Sequence, residues 1–393
     1  MAERMPLSAD ILYIIRRLAS AGHRADIVGG SVRDFLMGDT PHDYDMATDA
    51  TPEEMKAVFS DERIIETGIR HGTLTLLLHG EPYEITTYRV DGDYGDHRHP
   101  NGVSFTRSLT EDLARRDLTV NAIAYHPEEG FTDPFGGRED LSARLLRAVG
   151  DPDRRFSEDA LRILRTLRFA ATLGFRIEEG TEAALLRKAP LLSNVSVERV
   201  DTEWQKWIGG AHAPEVLLRY RAVLPYIFPE LASKEPTLPR GCPPALRTLA
   251  LFAPYPDAPD RFDAAMRRLH ADNRRRERGT SVLRALHASL GTDAELLALL
   301  RTLGEKNMQT LLSLRGLFGI AQEGEREALS RLLSDGAPYL LSHLAVGGGD
   351  LAALGYRGRE IGAGLERLLA LVIEGRVKNE REALLRALPP PSV

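Results

Sequence analysis

The sequence predicts an α+β protein whose first third mixes helices with strands and whose remainder is all helical. Short runs of β-forming residues bounded by glycine or proline occur before about residue 140, which favours strands in that region. Later segments instead carry apolar residues at helical spacing. At about 150 residues per domain, the chain of 393 residues has room for two or three structural units.

The first third is predicted to begin with alternating helices and strands. Residues 10–21 place apolar side chains at helical spacing, and residues 25–28 form a short apolar strand that ends at Gly29-Gly30. A short helix over residues 31–37 follows. Residues 43–47 then read as another strand.

A hairpin and a loop complete this part of the chain. Residues 73–78 and 83–90 are rich in β-formers, and Gly80-Glu81-Pro82 between them predicts the turn. Residues 91–102 are polar, with three glycines and one proline, and predict a flexible loop. His97 and His99 lie in this loop.

After about residue 140 the sequence predicts one helix after another. Ser157 is the expected N-cap and Gly174 the expected end of a helix over residues 158–173. The proline-rich residues 236–244 predict a connector. Further helices are predicted at 213–223, 261–270, 295–303 and 359–373.

Composition excludes several classes of protein. The 43% hydrophobic and 27% charged residues are ordinary for a globular protein, and no apolar run approaches the roughly 20 residues that span a bilayer. Without a basic and apolar leader at the N-terminus, the expected location is the cytoplasm. The single cysteine, Cys242, excludes a disulfide framework and a Cys-based zinc site. The net charge of −6 does not indicate nucleic-acid binding, but arginines are grouped between residues 154 and 176.

Two aspartates near a glycine turn form the sharpest local pattern. In a strand, Asp43 and Asp45 project to one face, and a divalent cation relieves the repulsion between two such carboxylates. Gly30 opens a helix whose backbone N–H groups can receive phosphate, and Arg33 adds a charged donor. Glu84 in the hairpin is either a third carboxylate of this site or a surface residue.

The helix predicted over residues 158–173 carries Asp159, Arg162, Arg165 and Arg168 at intervals of three, and the first three share one side. A carboxylate only accepts hydrogen bonds and a guanidinium only donates them, so Asp159 beside Arg162 complements the edges of cytosine and adenine. The alternative is a salt bridge on the helix face.

Upstream of that helix, Arg116 is a candidate phosphate or ribose clamp, with Asp117 orienting it. The alternative for this arginine is an exposed, charged helix start.

Together these segments resemble the class II tRNA nucleotidyltransferase and bacterial poly(A) polymerase family. The resemblance covers roughly residues 25–205 and also the C-terminal residues 347–385. The stretches that carry it are GGSVRDFLMGDTPHDYDMAT, YEITTYR, EDLARRDLTVNAIAY, DPFGGREDL, RRFSEDALRILRTLRFAATLGF and VSVERVDTEW.

The family resemblance implies both a fold and a set of site residues. It implies a polymerase-β-like nucleotidyltransferase head at residues 1–140, a helical neck at 141–210 and a helical body and tail at 211–393, in a seahorse shape. Asp43 and Asp45 are then the Mg²⁺ ligands. The implied nucleotide contacts are Gly30 and Arg33 to phosphates, Arg116 to the incoming ATP or CTP, Asp159 and Arg162 to the base edge, and Arg165 and Arg168 along the nucleotide site.

The activity implied by the resemblance is the addition of C, C and A to the 3′ end of tRNA from CTP and ATP, without a template and with release of pyrophosphate. An A-adding or CC-adding specialist and a poly(A) polymerase stay open, although the full loop at residues 91–102 argues against a C-only enzyme. A non-catalytic RNA-binding protein is the alternative from another class. The C-terminal half carries no His-Asp pair, so no phosphohydrolase domain is expected there.

Overall fold

The computed structural model describes residues 4–41, 43–66, 68–91, 103–232 and 237–390. The chain forms two compact units, Met1–Glu235 (unit 1) and Pro236–Val393 (unit 2). Every described strand lies in unit 1, and the described part of unit 2 is helical, which confirms the α+β class. The finer division at residues 140 and 210 stays a prediction. None of the described helices is long and apolar enough to cross a membrane.

Unit 1 is built on a mixed sheet. In chain order the described strands are β1 (Ala25–Val28), β2 (Met46–Thr48), β3 (Arg63–Ile65), β4 (Thr73–Leu78), β5 (Glu81–Thr87), β6 (Arg89–Asp91), β7 (Val103–Phe105), β8 (Ala124–His126), β9 (Gly130–Thr132), β10 (Leu145–Leu146) and β11 (Arg176–Ile177). The main sheet has seven strands in the order β3-β4-β5-β2-β1-β8-β9, and only β2 and β5 run parallel. The pairs β6-β7 and β10-β11 form two small separate sheets.

Helices cover this sheet and continue beyond it. They are α1 (Ala9–Ser20), α2 (Gly30–Leu36), α3 (Pro52–Val58), α4 (Leu109–Ala114), α5 (Gly137–Ser142), α6 (Pro152–Glu158), α7 (Leu161–Leu173), α8 (Glu179–Lys188), α9 (Val197–Gly209), α10 (Ala213–Arg219) and α11 (Leu224–Ile227). The Ser8 hydroxyl caps α1 by accepting a hydrogen bond from the Ile11 N–H, and the apolar stripe of that helix is buried. Helix α1 thus confirms the first predicted helix to within one residue.

The strand predicted over residues 43–47 is wrong in its position. Strand β2 begins only at Met46, so both aspartates precede it. The reason is the partner strand: β1 pairs Ile27 with Met46 and then ends at Gly29, where the backbone turns with a φ of 75°. Beyond that turn β1 offers no further pairing to the residues around Asp43.

The predicted hairpin forms, but its turn lies elsewhere. His79 and Gly80 both have positive φ, 51° and 90°, which is the requirement of a two-residue hairpin turn that matches strand twist. Glu81 therefore pairs with Leu78 as the first residue of β5. The part of the predicted loop at residues 92–102, including His97 and His99, lies outside the described residues.

The single helix predicted over residues 158–173 is wrong, because two helices occupy this stretch. Asp151 caps α6 through the Arg154 N–H, and the helix ends at Asp159, whose backbone is extended. The Ser157 hydroxyl donates to the Asp153 carbonyl within α6, and the residue at the N-cap of α7 is Ala160 instead. Helix α7 then ends at Gly174 with a φ of 68°, as predicted.

Unit 2 contains the second set of helices. They are α12 (Pro244–Phe252), α13 (Ala258–Arg268), α14 (Asn273–Arg284), α15 (Asp293–Leu303), α16 (Glu305–Leu317), α17 (Glu325–Ser334), α18 (Gly348–Ala353), α19 (Arg359–Ile373) and α20 (Arg381–Arg386). Helix α19 has the predicted bounds, and α13 and α15 confirm two further predictions to within a few residues. Residues 237–243 contain neither helix nor strand, in keeping with the predicted connector.

Candidate active site

A cleft of about 900 Å³ lies in unit 1, between α2, the residues before β2, and the C-terminal parts of α7 and α9. It brings together half of the predicted site residues, namely Gly30, Arg33, Asp43, Asp45 and Arg168. The other predicted residues do not line it. They are Glu84, Arg116, Asp159, Arg162 and Arg165.

Asp43 and Asp45 are exposed at the cleft. The backbone carbonyl of Asp45 accepts a hydrogen bond from the Val28 N–H at 3.0 Å, which ties the pair to the end of β1. Partial removal from water raises the pKa of the Asp45 carboxyl, the Arg116 guanidinium lowers it, and the charge of Asp43 raises it further. The two carboxylates therefore repel each other, as expected for a pair that accepts a cation.

The chemistry of this pair fits Mg²⁺. That ion is usually held by one or two carboxylates together with substrate phosphates and water, rather than by a cage of protein ligands. No group of three or more His, Cys, Asp or Glu side chains with metal-binding spacing occurs in the part of the chain that the structure describes. Two aspartates at an open cleft would leave the remaining positions around such an ion to water or to phosphate oxygens.

Glu84 lies in β5, where it pairs with Thr75 of β4 and is exposed. The parallel pairing of β2 with β5 joins Met46 to Ile85. Asp45 and Glu84 are the residues that directly precede this pair in sequence, so they lie side by side along the two segments. Glu84 is nevertheless absent from the cleft lining. Its role as a third carboxylate stays a prediction.

The turn before α2 requires a glycine for two reasons. Gly29 has a φ of 75°, and a Cβ atom at this position would lie 2.8 Å from Nη1 of Arg116. The turn leads into Arg33, which donates to Oδ1 of Asn121 at 2.7 Å and to Oδ1 of Asp34 at 2.7 Å. Arg33 is thereby fixed at the cleft wall.

Arg116 lies just after α4 rather than at a helix start, so the predicted alternative of an exposed helix start is wrong. Its side chain is 19% exposed and makes long contacts to Oδ2 of Asp112 at 3.4 Å and the Asn121 carbonyl at 3.5 Å. Its buried Nε has no hydrogen-bond partner among the described residues. Burial lowers the pKa of this guanidinium, while Asp112 opposes the shift.

Asp117 does not orient Arg116, contrary to prediction. Its carboxylate accepts from Nε of Arg165 at 2.7 Å, from Nδ2 of Asn121 at 3.0 Å and from the Leu118 N–H at 2.8 Å. Burial alone would raise the pKa of Asp117, but Arg165 and Asn121 lower it below its ordinary value. Arg165 therefore ties α7 to the segment that follows α4.

Asp159 and Arg162 do not share one helix face as predicted, because Asp159 lies in the break before α7 and its carbonyl accepts from the Arg162 N–H at 3.1 Å. Asp159 accepts from the Leu161 N–H at 3.1 Å and from Nη2 of Arg199 at 2.8 Å. Arg162 donates to Oε2 of Glu158 at 2.8 Å and to the Arg115 carbonyl at 3.0 Å. Each side chain is thus held by partners of its own.

Sequence reasoning missed two residues that contact Arg168, and one of them, Phe169, lines the cleft. The Phe169 ring centroid lies 4.1 Å from the Arg168 guanidinium carbon, and Oε2 of Glu203 lies 3.1 Å from Arg168 Nε as an ion pair without hydrogen-bond alignment. Phe169 lies four residues after Arg165, which could have indicated their contact. Glu203 comes from α9, and no local pattern connects it to Arg168.

Comparison with protein families finds two matches. The description "Poly A polymerase head domain" matches residues 25–147, and "Probable RNA and SrmB-binding site of polymerase A" matches residues 174–235. Over 391 residues the chain is 35% identical to the CCA-adding enzyme of Enterococcus faecalis, covering 95% of this chain and 93% of that one. With the CCA-adding enzyme of Geobacillus thermodenitrificans it is 47% identical over 231 residues, 58% of this chain. In this and the next two relatives the match spans only 51–57% of the relative's length.

Solved structures show the same similarity. The Bacillus stearothermophilus CCA-adding enzyme in complex with CTP superposes with a TM-score of 0.73 at 31% identity, covering 96% of each chain. The Thermotoga maritima CCA-adding enzyme complexed with tRNA has a TM-score of 0.69 at 21% identity, over 97% of this chain and 95% of that one, which shows a shared fold.

Proposed function

The chain belongs to the family of CCA-adding enzymes, and we propose that it adds C, C and A to the 3′ end of tRNA from CTP and ATP without a nucleic-acid template. The observation that carries the proposal is the pair Asp43 and Asp45, which shares one cleft with Gly30, Arg33 and Arg168. Carboxylates that attract a cation and arginines that attract phosphates are the parts that phosphoryl transfer needs.

Asp43 and Asp45 would hold Mg²⁺, and Glu84 is the candidate for a third carboxylate. When bound, the metal places positive charge beside the triphosphate oxygens and lowers the pKa of the attacking 3′-hydroxyl. The rest of the chemistry depends on positioning by the protein, because nucleotidyl transfer forms no covalent enzyme intermediate in this scheme.

The arginines of the cleft bind the triphosphate in this proposal. Arg33 and Arg168 line the same cleft as the aspartates and would neutralise the charge that develops on pyrophosphate as it leaves. Gly30 leaves room for a phosphate to approach the backbone. Arg116, whose buried Nε has no acceptor among the residues described, would complete its hydrogen bonds on the incoming nucleotide. Arg165 supports the wall through Asp117.

Asp159 and Arg162 would select the base. Each oxygen of a carboxylate can accept more than one hydrogen bond, so Asp159 can keep Arg199 and still accept from the amino group of cytosine or adenine. Arg162 would exchange one of its protein acceptors for N3 of cytosine or N1 of adenine. Uracil and guanine present the reverse order of donor and acceptor, which leaves buried groups unpaired.

The decisive experiment measures incorporation on tRNA that ends at the discriminator base, at C or at CC, with CTP and ATP supplied separately. We expect incorporation of C on tRNA that ends at the discriminator base, of C on tRNA that ends at C, and of A on tRNA that ends at CC. We expect Asp43→Ala to reduce every step by roughly 1,000-fold or more, because one of two metal ligands is lost, while tRNA binding stays intact. Asp39→Ala removes another carboxylate of the same cleft and serves as the control. Comparable activity in both variants would remove the metal assignment.

The same assay separates the alternatives. Transfer of C alone identifies a CC-adding enzyme, transfer of A only to tRNA ending in CC identifies an A-adding enzyme, and long A tails identify a poly(A) polymerase. Binding of tRNA without any transfer identifies an RNA-binding protein. The cytoplasmic location stays a prediction.

A further inference from the structure

Three arginines surround the ring of Phe169. The guanidinium carbons of Arg168, Arg33 and Arg165 lie 4.1, 5.0 and 5.8 Å from the ring centroid. Arg165, Arg168 and Phe169 belong to α7, whereas Arg33 comes from α2. The ring is therefore the point at which the cationic side chains of two separate helices meet.

Three positive charges this close repel one another, and each is offset by a carboxylate from a different part of unit 1. Arg33 pairs with Asp34 at 2.7 Å, Arg165 with Asp117 at 2.7 Å and Arg168 with Glu203 at 3.1 Å. Burial lowers the pKa of Arg168, the charge of Glu203 opposes this shift, and repulsion from Arg165 and Arg33 adds to the lowering.

Arg168 is the member of the group whose N–H donors stay unpaired. Its guanidinium donates no aligned hydrogen bond to any described residue, and its side chain is 15% exposed at the cleft. Its position therefore depends on the ion pair with Glu203 and on the Phe169 ring. The face of an aromatic ring attracts a cation electrostatically. It therefore leaves the N–H groups of the cation available to donate hydrogen bonds to a phosphate.

We propose that Phe169 is a positioning residue for the triphosphate: its ring holds Arg168 at the cleft wall with N–H donors available to the phosphates, and it also packs against Arg33. The inference rests on the proposed function. Phe169 is only 8% exposed, so its ring face is occupied by arginines rather than open to stacking with a base. The ring therefore acts on the part of the substrate that CTP and ATP share.

The test replaces the ring while keeping the position apolar. Phe169→Leu and Phe169→Met remove the aromatic face, and methionine comes nearer than leucine to filling the space of the ring. Phe169→Tyr keeps the aromatic face. We expect the Leu and Met variants to raise KM for CTP and for ATP equally, by about five- to tenfold. The affinity for pyrophosphate with Mg²⁺, measured by calorimetry, should fall by the same factor because pyrophosphate carries no base. Phe169→Tyr should stay within about twofold of the unchanged protein.

Phe59→Leu is the matched control. Phe59 is fully buried in unit 1 and its ring also contacts an arginine, Arg17 at 5.7 Å, but it does not line the cleft. A purely structural role for Phe169 predicts that both leucine variants lose thermal stability while KM and pyrophosphate affinity stay unchanged.

Unchanged KM and pyrophosphate affinity in folded Phe169→Leu and Phe169→Met would overturn the inference. An increase of KM for only one nucleotide would overturn it as well, since the ring would then act on a base. If the unchanged protein transfers no nucleotide to any tRNA, the proposed function fails, while the pyrophosphate titration still decides whether the ring organises a phosphate site.

Discussion

Two arginines that are largely removed from solvent, one in each unit, differ in how their N–H groups are used. Arg315 in α16 donates to both carboxylate oxygens of Glu325, at 3.1 and 2.6 Å, and to the carbonyls of Leu286 and Ala288, at 2.7 and 2.9 Å. Arg168 in α7 has an ion pair, a ring contact and no aligned hydrogen bond among the described residues. Arg315 is 3% exposed and lines no described cleft, whereas Arg168 faces the cleft.

Under the proposed function, the difference separates a structural arginine from one that binds a ligand. Nearly all of the hydrogen-bonding capacity of Arg315 is used within the fold, so a ligand could gain little from it. Arg168 makes no aligned hydrogen bond within the described fold, and keeping its buried Nε unpaired costs unit 1 free energy. Substitutions at the two sites should therefore affect different properties.

The largest effect is expected from Arg315→Ala. Removing the guanidinium leaves Glu325 charged in the interior without a partner, and unit 2 should lose about 3–5 kcal/mol of stability. The measurement is thermal unfolding followed by two signals. Both tryptophans of the chain, Trp204 and Trp207, lie buried in unit 1, so their fluorescence follows that unit, while far-ultraviolet circular dichroism follows all helices.

We expect Arg315→Ala to shift the circular dichroism transition more than the fluorescence transition. The double variant Arg315→Met with Glu325→Leu should recover part of the stability, since it removes both charges together. An equal shift of both signals would contradict the assignment of this pair to unit 2 alone.

A smaller effect is expected from Asp159→Ala, and it concerns selectivity. Without the carboxylate, the amino groups of cytosine and adenine lose their acceptor, and the preference for CTP over UTP should weaken by about 1–3 kcal/mol. The ratio of kcat/KM for the two nucleotides measures this. Asp153→Ala removes an exposed aspartate of α6 and is the control. Equal selectivity in both variants would exclude Asp159 from base reading.

The smallest effect is expected from Arg168→Gln. One donor to the triphosphate is lost, so KM for CTP and ATP should rise about tenfold. Glu203 loses its ion-pair partner in this variant, but no aligned hydrogen bond is lost, so stability should fall less than in Arg315→Ala. Thermal unfolding and nucleotide kinetics of Arg176→Gln, at an exposed position of β11, provide the comparison. A large loss of stability in Arg168→Gln would place it with the structural arginines.

Local patterns predicted the fold where one segment determines its own structure. Helices α1 and α19 and strand β1 follow from their apolar spacing and caps. The break between α6 and α7 was missed because the apolar stripe continues through it, while the extended backbone of Asp159 is set by contacts with Leu161 and Arg199. Strands β10 and β11 have two residues each, which is too short for a period to show.

The candidate site was predictable as residue types more than as contacts. Gly30, Arg33, Asp43 and Asp45 are close in sequence, and the glycine turn brings them to one cleft. The partners of the arginines come from distant segments: Asn121 holds Arg33, and Glu203 pairs with Arg168. No sequence period encodes such pairs, because tertiary packing chooses them.

The walls of the cleft are drawn from residues between Gly30 and Gly210. During synthesis the ribosome makes the aspartates early, but α9 with Glu203 emerges much later. A nascent chain that already contains the seven-stranded sheet still lacks one side of the cleft. The capacity to bind nucleotide should therefore arise at a late point in translation, when the last wall leaves the exit tunnel, rather than growing gradually with chain length.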